Sequence, residues 1–172
     1  ASHKNTTQYN VPALYRFTDI DAERLQEALC AAVDAHSYMK TKFMMSKGTY
    51  MQRRRYHSLP KVSLTVLDYE PDTSFFQERV RPFNLYSDTL YRIELYRTPK
   101  YVYLFFDKHH VIFDGMSRGV FIRDVLRAYH GETIQPEIFS AFDFALYEQE
   151  LVGSPRFLEA EQRWDDLFGG AT

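Results

Sequence analysis

The run Asp107-Lys108-His109-His110-Val111-Ile112-Phe113-Asp114-Gly115-Met116-Ser117 holds the residue types best suited to chemistry. It is predicted to join the end of a buried strand to the start of a helix, where a rigid scaffold aims a loop side chain. Imidazole takes up a proton near neutral pH. Neighbouring side chains on an extended strand point to opposite sides. One histidine can therefore pack inward while the other faces a channel. Asp114 suits an anchoring role, through a buried ion pair or backbone hydrogen bonds. Gly115 permits a tight turn or a close backbone approach. The helix that follows offers free N–H groups and the positive end of its dipole to a developing oxyanion.

Other chemistries fit the same residue types less well. A histidine on a strand is often a satisfied structural residue, and the bare pattern is weak. Two histidines and a carboxylate match the composition of a facial iron triad. Adjacent histidines on a strand diverge, however, and His3, His36, His57 and His130 stand isolated in the sequence, so no metal is expected. Gly115-Met116-Ser117-Arg118-Gly119 has the letters of GxSxG, but the spacing of Ser117 from His110 gives no sign of a nucleophile–base contact.

The elements that must position this run are legible from periodicity. Ala13–Thr18 is predicted as a strand. A helix over 22–36 follows from the apolar face Leu25, Ala28, Leu29, Ala32 and Val33, with Asp21 as N-cap and an Ile20–Leu25 staple. Lys42–Ser46 and Thr49–Tyr56 are expected to be strands turning at Lys47-Gly48. Val62, Leu64 and Val66 mark a half-buried strand. A short helix over Thr73–Val80 ends before Pro82. Leu90–Arg97 and Tyr101–Asp107 pair as a hairpin. A helix over Met116–His130 carries Val120, Phe121, Val125, Leu126 and Tyr129, with Gly131 as its left-handed cap. Ser140–Glu150 is predicted helical, and Ser154-Pro155 opens a last helix through Trp164 and Phe168. The mixture predicts the α/β (α+β) class, a mixed sheet covered by helices.

Composition bounds the function. A chain of 172 residues suits one domain with a core of useful size. With 45% apolar and 26% charged residues it is expected to fold. The 14 Phe and 13 Tyr must line a core or a groove. The formal charge of −2 gives no global field toward nucleic acid or an anionic membrane. Arg53-Arg54-Arg55, with His57 nearby, is expected to be a solvated strand edge. Cys30 is the only cysteine, which excludes a disulfide framework or cysteine zinc site within one chain and suits a reducing compartment. There is no membrane-length apolar run and no signal-peptide pattern, so a cytoplasmic location is expected.

His109-His110-Val111-Ile112-Phe113-Asp114-Gly115 resembles the HHxxxDG signature of condensation domains of nonribosomal peptide synthetases, of the tyrocidine and gramicidin type. Chloramphenicol acetyltransferase and CoA-dependent acyltransferases carry related signatures. Other segments match in order. Tyr9-Asn10-Val11-Pro12 resembles a YNIP-type segment. Ala35-His36-Ser37-Tyr38-Met39-Lys40-Thr41-Lys42-Phe43 is similar to RHExLRTxF, with Ala35, Ser37 and Lys40 in place of Arg, Glu and Arg. Pro82-Phe83-Asn84-Leu85 and Leu90-Tyr91-Arg92 resemble a PFDL…PLFR stretch. Phe142-Asp143-Phe144-Ala145-Leu146-Tyr147 resembles YxDFAxW, and Trp164-Asp165-Asp166-Leu167 resembles a YWxxxL close. The resemblance runs from Tyr9 to Phe168. Chloramphenicol acetyltransferase itself carries its motif close to its C-terminus, whereas here the chain continues from Gly115 to Thr172.

The resemblance implies a specific role. Residues 1–172 are expected to form a single domain, the N-terminal lobe of a two-lobed, chloramphenicol acetyltransferase-like domain. Such domains join an upstream acyl or peptidyl thioester to the amine of a downstream aminoacyl thioester. Both substrates ride on phosphopantetheine arms of carrier-protein domains, which enter a tunnel between the lobes; no cofactor is bound directly. By match, His110 is the catalytic histidine, His109 supports the loop, Asp114 is structural and Gly115 lies beside the tunnel. An SxAQxR motif before Tyr9 and the C-terminal lobe are absent, so this piece alone is expected to be inactive. Epimerisation domains, CoA-dependent acyltransferases and non-catalytic carrier-recruitment lobes remain open under the same signature.

Overall fold

The structure, a computed structural model, describes residues 6–54, 62–135 and 137–169. These fall into two compact units, one reaching Glu137 and the other beginning at Ile138.

The first unit is built on a four-stranded sheet in the order β1-β6-β5-β4. Its strands are β1 (Ala13–Phe17), β4 (Ser63–Val66), β5 (Tyr91–Arg97) and β6 (Val102–Lys108). β6 runs antiparallel to both β1 and β5, while β4 lies parallel to β5. The predicted β5–β6 hairpin is present, with Arg92 opposite Asp107 and Arg97 opposite Val102. All of β6 is buried, which its position between two strands and two covered faces requires.

Period-two alternation divides β6 between those faces. Leu104 and Phe106 enter the main core with Ile93, Leu95 and the helices α1 (Ala22–Ala35) and α3 (Gly115–Tyr129). Tyr103 and Phe105 face the other way and pack with Tyr96 and Phe76 of the short helix α2 (Thr73–Gln77). α1 forms as its periodicity predicts: Asp21 Oδ1 accepts from the Arg24 N–H at 2.9 Å, and Leu25, Ala28, Leu29, Ala32 and Val33 are buried. Full burial of each leucine or valine among them contributes about 1.5–3 kcal/mol.

Two expectations are corrected. On α3 only Phe121 and Val125 of the predicted stripe are buried; Val120 and Leu126 are exposed, and Asp124 takes a buried position. On β4 the inward alternation stops early: Val62 is buried and Leu64 half-buried, but Val66 is 63% exposed because β4 is an edge strand with a single neighbour. Tyr56, Arg55 and His57 lie outside the described residues, so the second strand of the next hairpin is described only to Arg54.

That hairpin, β2 (Thr41–Ser46) and β3 (Thr49–Arg54), is a separate two-stranded sheet. Lys47 and Gly48 both adopt positive φ, 49° and 80°, as a two-residue turn with the twist of its strands demands. Arg53 and Arg54 are exposed, as a solvated edge requires.

The second unit contains α4 (Ala141–Leu151) and α5 (Pro155–Phe168). Ser140 and Asp143 form a reciprocal capping box on α4. Ser154 caps α5, with Pro155 at its first position and Trp164 stacked on Phe168 at 5.2 Å. Among the described residues no helix is long and apolar enough to cross a membrane.

Candidate active site

β6 ends at Lys108, and its two successors leave the ladder in different ways. His109 forms an isolated bridge to Asn10, its N–H donating to Leu90 O at 2.9 Å. His110 lies in the following turn, its N–H donating to Tyr9 O at 2.8 Å. The turn closes with Ile112 N–H on His109 O and Phe113 N–H on His110 O, at 3.1 and 3.3 Å. Ile112 and Phe113 are buried beneath it. Phe113 packs edge-on against Phe106 and Phe121, with ring centroids 5.4 and 6.0 Å away. An apolar plug thus fixes the loop from below, and polar groups fix it from the side.

The two imidazoles differ in setting. His109 is half-buried, with its ring 5.8 Å from that of Tyr9 and 6.1 Å from that of Phe83. Its Nδ1 accepts the Val111 N–H at 3.0 Å. Burial, and then the neighbouring charge of His110, push its pKa below the ordinary value. His110 is exposed. The division into one packed and one open histidine is as the sequence suggests, but the turn after β6 produces it rather than strand alternation.

Asp114 is not in a buried ion pair. Its carboxylate is exposed and caps α3: Oδ1 accepts the Ser117 N–H at 2.8 Å and the Ser117 hydroxyl at 2.7 Å. These bonds, led by the hydroxyl, hold its carboxyl below the usual range. The Ser117 donors are thereby occupied, so this N–H is not free for an oxyanion. Gly115 makes no tight turn. It is the first residue of α3, outside the left-handed region, and an added Cβ would meet nothing within 4 Å. Within this unit no contact requires a glycine there.

Sequence reasoning assigned no role to several polar groups beside the site. Asp107 is fully buried, and its Oδ2 accepts from Asn10 Nδ2 at 2.7 Å and Arg92 Nη1 at 3.0 Å. Burial pushes the Asp107 carboxyl up, against the pull of Asn10 and Arg92. Lys108 is 1% exposed, with Nζ over the rings of Phe106 at 4.4 Å and Phe113 at 5.1 Å. Burial, and then Arg118, push its amine down to about 8. The available signal was an Asp-Lys pair closing the otherwise aromatic and aliphatic strand Val102–Phe106.

His36, isolated in the sequence, is buried between two acids. Its Nε2 lies 3.2 Å from Asp124 Oδ2 and its Nδ1 3.2 Å from Glu137 Oε1. Its partners lie far along the chain, so spacing alone could not reveal them. Lys40, where the resembled segment has Arg, pairs locally with Asp34 at 2.7 Å. His3 and His57 lie outside the described residues.

The mixed sheet with helices on both faces has the chloramphenicol acetyltransferase-like fold, and the paired histidines stand just beyond its strand β6. The chain belongs to the condensation-domain family, whose model matches residues 1–172. Surfactin synthase subunit 1 of Bacillus subtilis (strain 168) is 30% identical over 160 residues, covering 92% of this chain and 4% of its own length. The starter condensation domain of the rhizomide synthetase superposes with a TM-score of 0.85 at 17% identity, over 99% of this chain and 44% of that one. The epimerization domain from the third module of tyrocidine synthetase B superposes at 0.80 and 18% identity, over 96% of this chain and 41% of that one. The chain thus spans less than half of these relatives, and the structural matches establish the fold.

Proposed function

We propose that residues 1–172 act as the N-terminal lobe of a condensation domain, forming an amide between two carrier-bound substrates. The observation that carries this reading is the exposed His110 just beyond β6, its backbone held by the Tyr9 carbonyl and the Ile112–Phe113 plug beneath the turn. The amine nitrogen of the downstream aminoacyl thioester attacks the carbonyl carbon of the upstream thioester. His110 accepts or steers the amine proton, the C–N bond forms, and the C–S bond breaks as the upstream thiol leaves. A thioester is already activated, so alignment of the reactants supplies much of the acceleration. The phosphopantetheine arms belong to the substrates, delivered by upstream and downstream carrier-protein domains. The second lobe supplies the other wall of the tunnel, and this piece alone makes little or no amide.

Intact-mass spectrometry of a downstream aminoacyl carrier protein, incubated with a loaded upstream carrier and the complete two-lobed domain, tests this. Wild type is expected to transfer the acyl group. His110→Ala is expected to slow transfer by about 10²–10⁴-fold, the usual contribution of a general base. Binding of both carriers without amide formation refutes the reading. Inversion of the aminoacyl centre in place of amide formation selects the epimerisation alternative, which has the same fold.

A further inference from the structure

Asp107 joins three stretches of chain that are far apart in sequence. Its Oδ2 accepts from Asn10 Nδ2 at 2.7 Å and from Arg92 Nη1 at 3.0 Å. Each donor also reaches the stretch around Pro82. Asn10 Nδ2 donates to Arg81 O at 2.9 Å, Arg92 Nη1 donates to the same carbonyl at 2.8 Å, and Arg92 Nη2 donates to Pro82 O at 3.0 Å. The Arg92 guanidinium lies 3.8 Å from the centroid of the Phe83 ring.

Those stretches are the ones that touch the histidines. Asn10 follows Tyr9, whose carbonyl holds the His110 N–H and whose ring lies against His109. Phe83 meets His109 edge-on from the other segment. Asp107 itself stands two residues before His109 on the same strand. One buried carboxylate therefore ties together both walls that hold the histidine pair. Removing one partner of such a buried ion pair is costly, because it leaves the other charge unpaired.

We propose that Asp107 is the positioning residue of the histidine pair, fastening Asn10 and Arg92 to β6 so that Tyr9 and Phe83 hold His109 and His110 in their working orientation. The consequence for turnover rests on the amide-forming reading above; the consequence for the imidazoles does not. Asp107 touches no substrate, so its loss acts on the chemical step and not on carrier binding.

The test uses the complete domain as wild type, Asp107→Asn and Asn10→Ala. The second variant removes the two bonds of Asn10 Nδ2 at the half-exposed end of the network and covers the case in which the first fails to fold. Nitrogen-15 NMR of the imidazoles reads the His109 tautomer and the ring environment of His110, and intact-mass kinetics read amide formation. The expected result is changed His109 and His110 ring signals, with kcat reduced about 10²-fold, the scale of an ångström misplacement, and carrier KM unchanged. Unaltered imidazole signals in the folded variants overturn the proposal, as does an unchanged kcat alongside an active wild type. If the wild-type domain makes no amide, the functional reading falls, and the imidazole signals alone decide the positioning role.

Discussion

The main-chain N–H of Val111 donates to Nδ1 of His109 at 3.0 Å, which leaves the proton of the neutral ring on Nε2. A second proton on His109 would break that bond, and burial and the charge of His110 also oppose it. The two adjacent imidazoles are thus unequal: His109 is held in one tautomer, and His110 is exposed.

His109 therefore makes stability depend on pH. Its folded pKa lies below the ordinary 6.5, so the unfolded chain binds this proton first as pH falls. The contribution is present above pH 6.5 and is lost as pH drops through the folded value. Thermal unfolding of His109→Gln between neutral and mildly acid pH should show a flatter profile than wild type. An equally steep profile would mean that His109 is not held neutral.

Lys108 works against stability at neutral pH. Its folded pKa of about 8 lies below the ordinary 10.5, so folding favours the neutral amine. The cost of burying the charge is present in full below about pH 8 and fades as pH rises toward 10.5. Lys108→Met keeps an unbranched stem between Phe106 and Phe113 and removes the charge. Its melting temperature should exceed that of wild type at pH 7, with the gap closing at alkaline pH.

Asp114 should be replaceable where a cap is all that is needed. Asp114→Ala loses the N-cap and should cost about 1 kcal/mol. That is roughly 2–4 °C in melting temperature for a chain of this size. Asp114→Ser keeps a capping oxygen and should remain near wild type. Calorimetry of the two variants separates this from a buried ion pair, which serine could not replace.

Gly115 has no neighbour that a methyl group would strike. Gly115→Ala should leave the melting temperature unchanged or slightly raised, since alanine favours the helix. If this backbone borders the substrate channel, the same variant in the complete domain should form amide more slowly. Calorimetry and intact-mass kinetics together distinguish the two effects.

Local chemistry made most elements legible. Asp21, Ser140, Ser154 and Gly131 act at their helix ends as their residue types predict. Lys47-Gly48 turns its hairpin because only a few residues tolerate two positive φ angles in succession. What sequence did not show is long-range. The Asn10–Asp107–Arg92 network and the His36–Asp124–Glu137 cluster join residues whose meeting depends on the order of strands and helices. Of the two anchoring modes open to Asp114, the backbone hydrogen bond is the one formed: a carboxylate at the first turn of a helix satisfies local donors before it reaches a distant cation.

β6 is hydrogen-bonded along both edges, to β1 and to β5, whereas β4 has one neighbour and an open side. Amides along β6 are released to solvent only when the whole sheet opens, a slow cooperative event. His109 and His110 extend directly from that strand. Their main-chain positions, tied to Leu90 O and Tyr9 O, are then held for as long as the sheet stays closed.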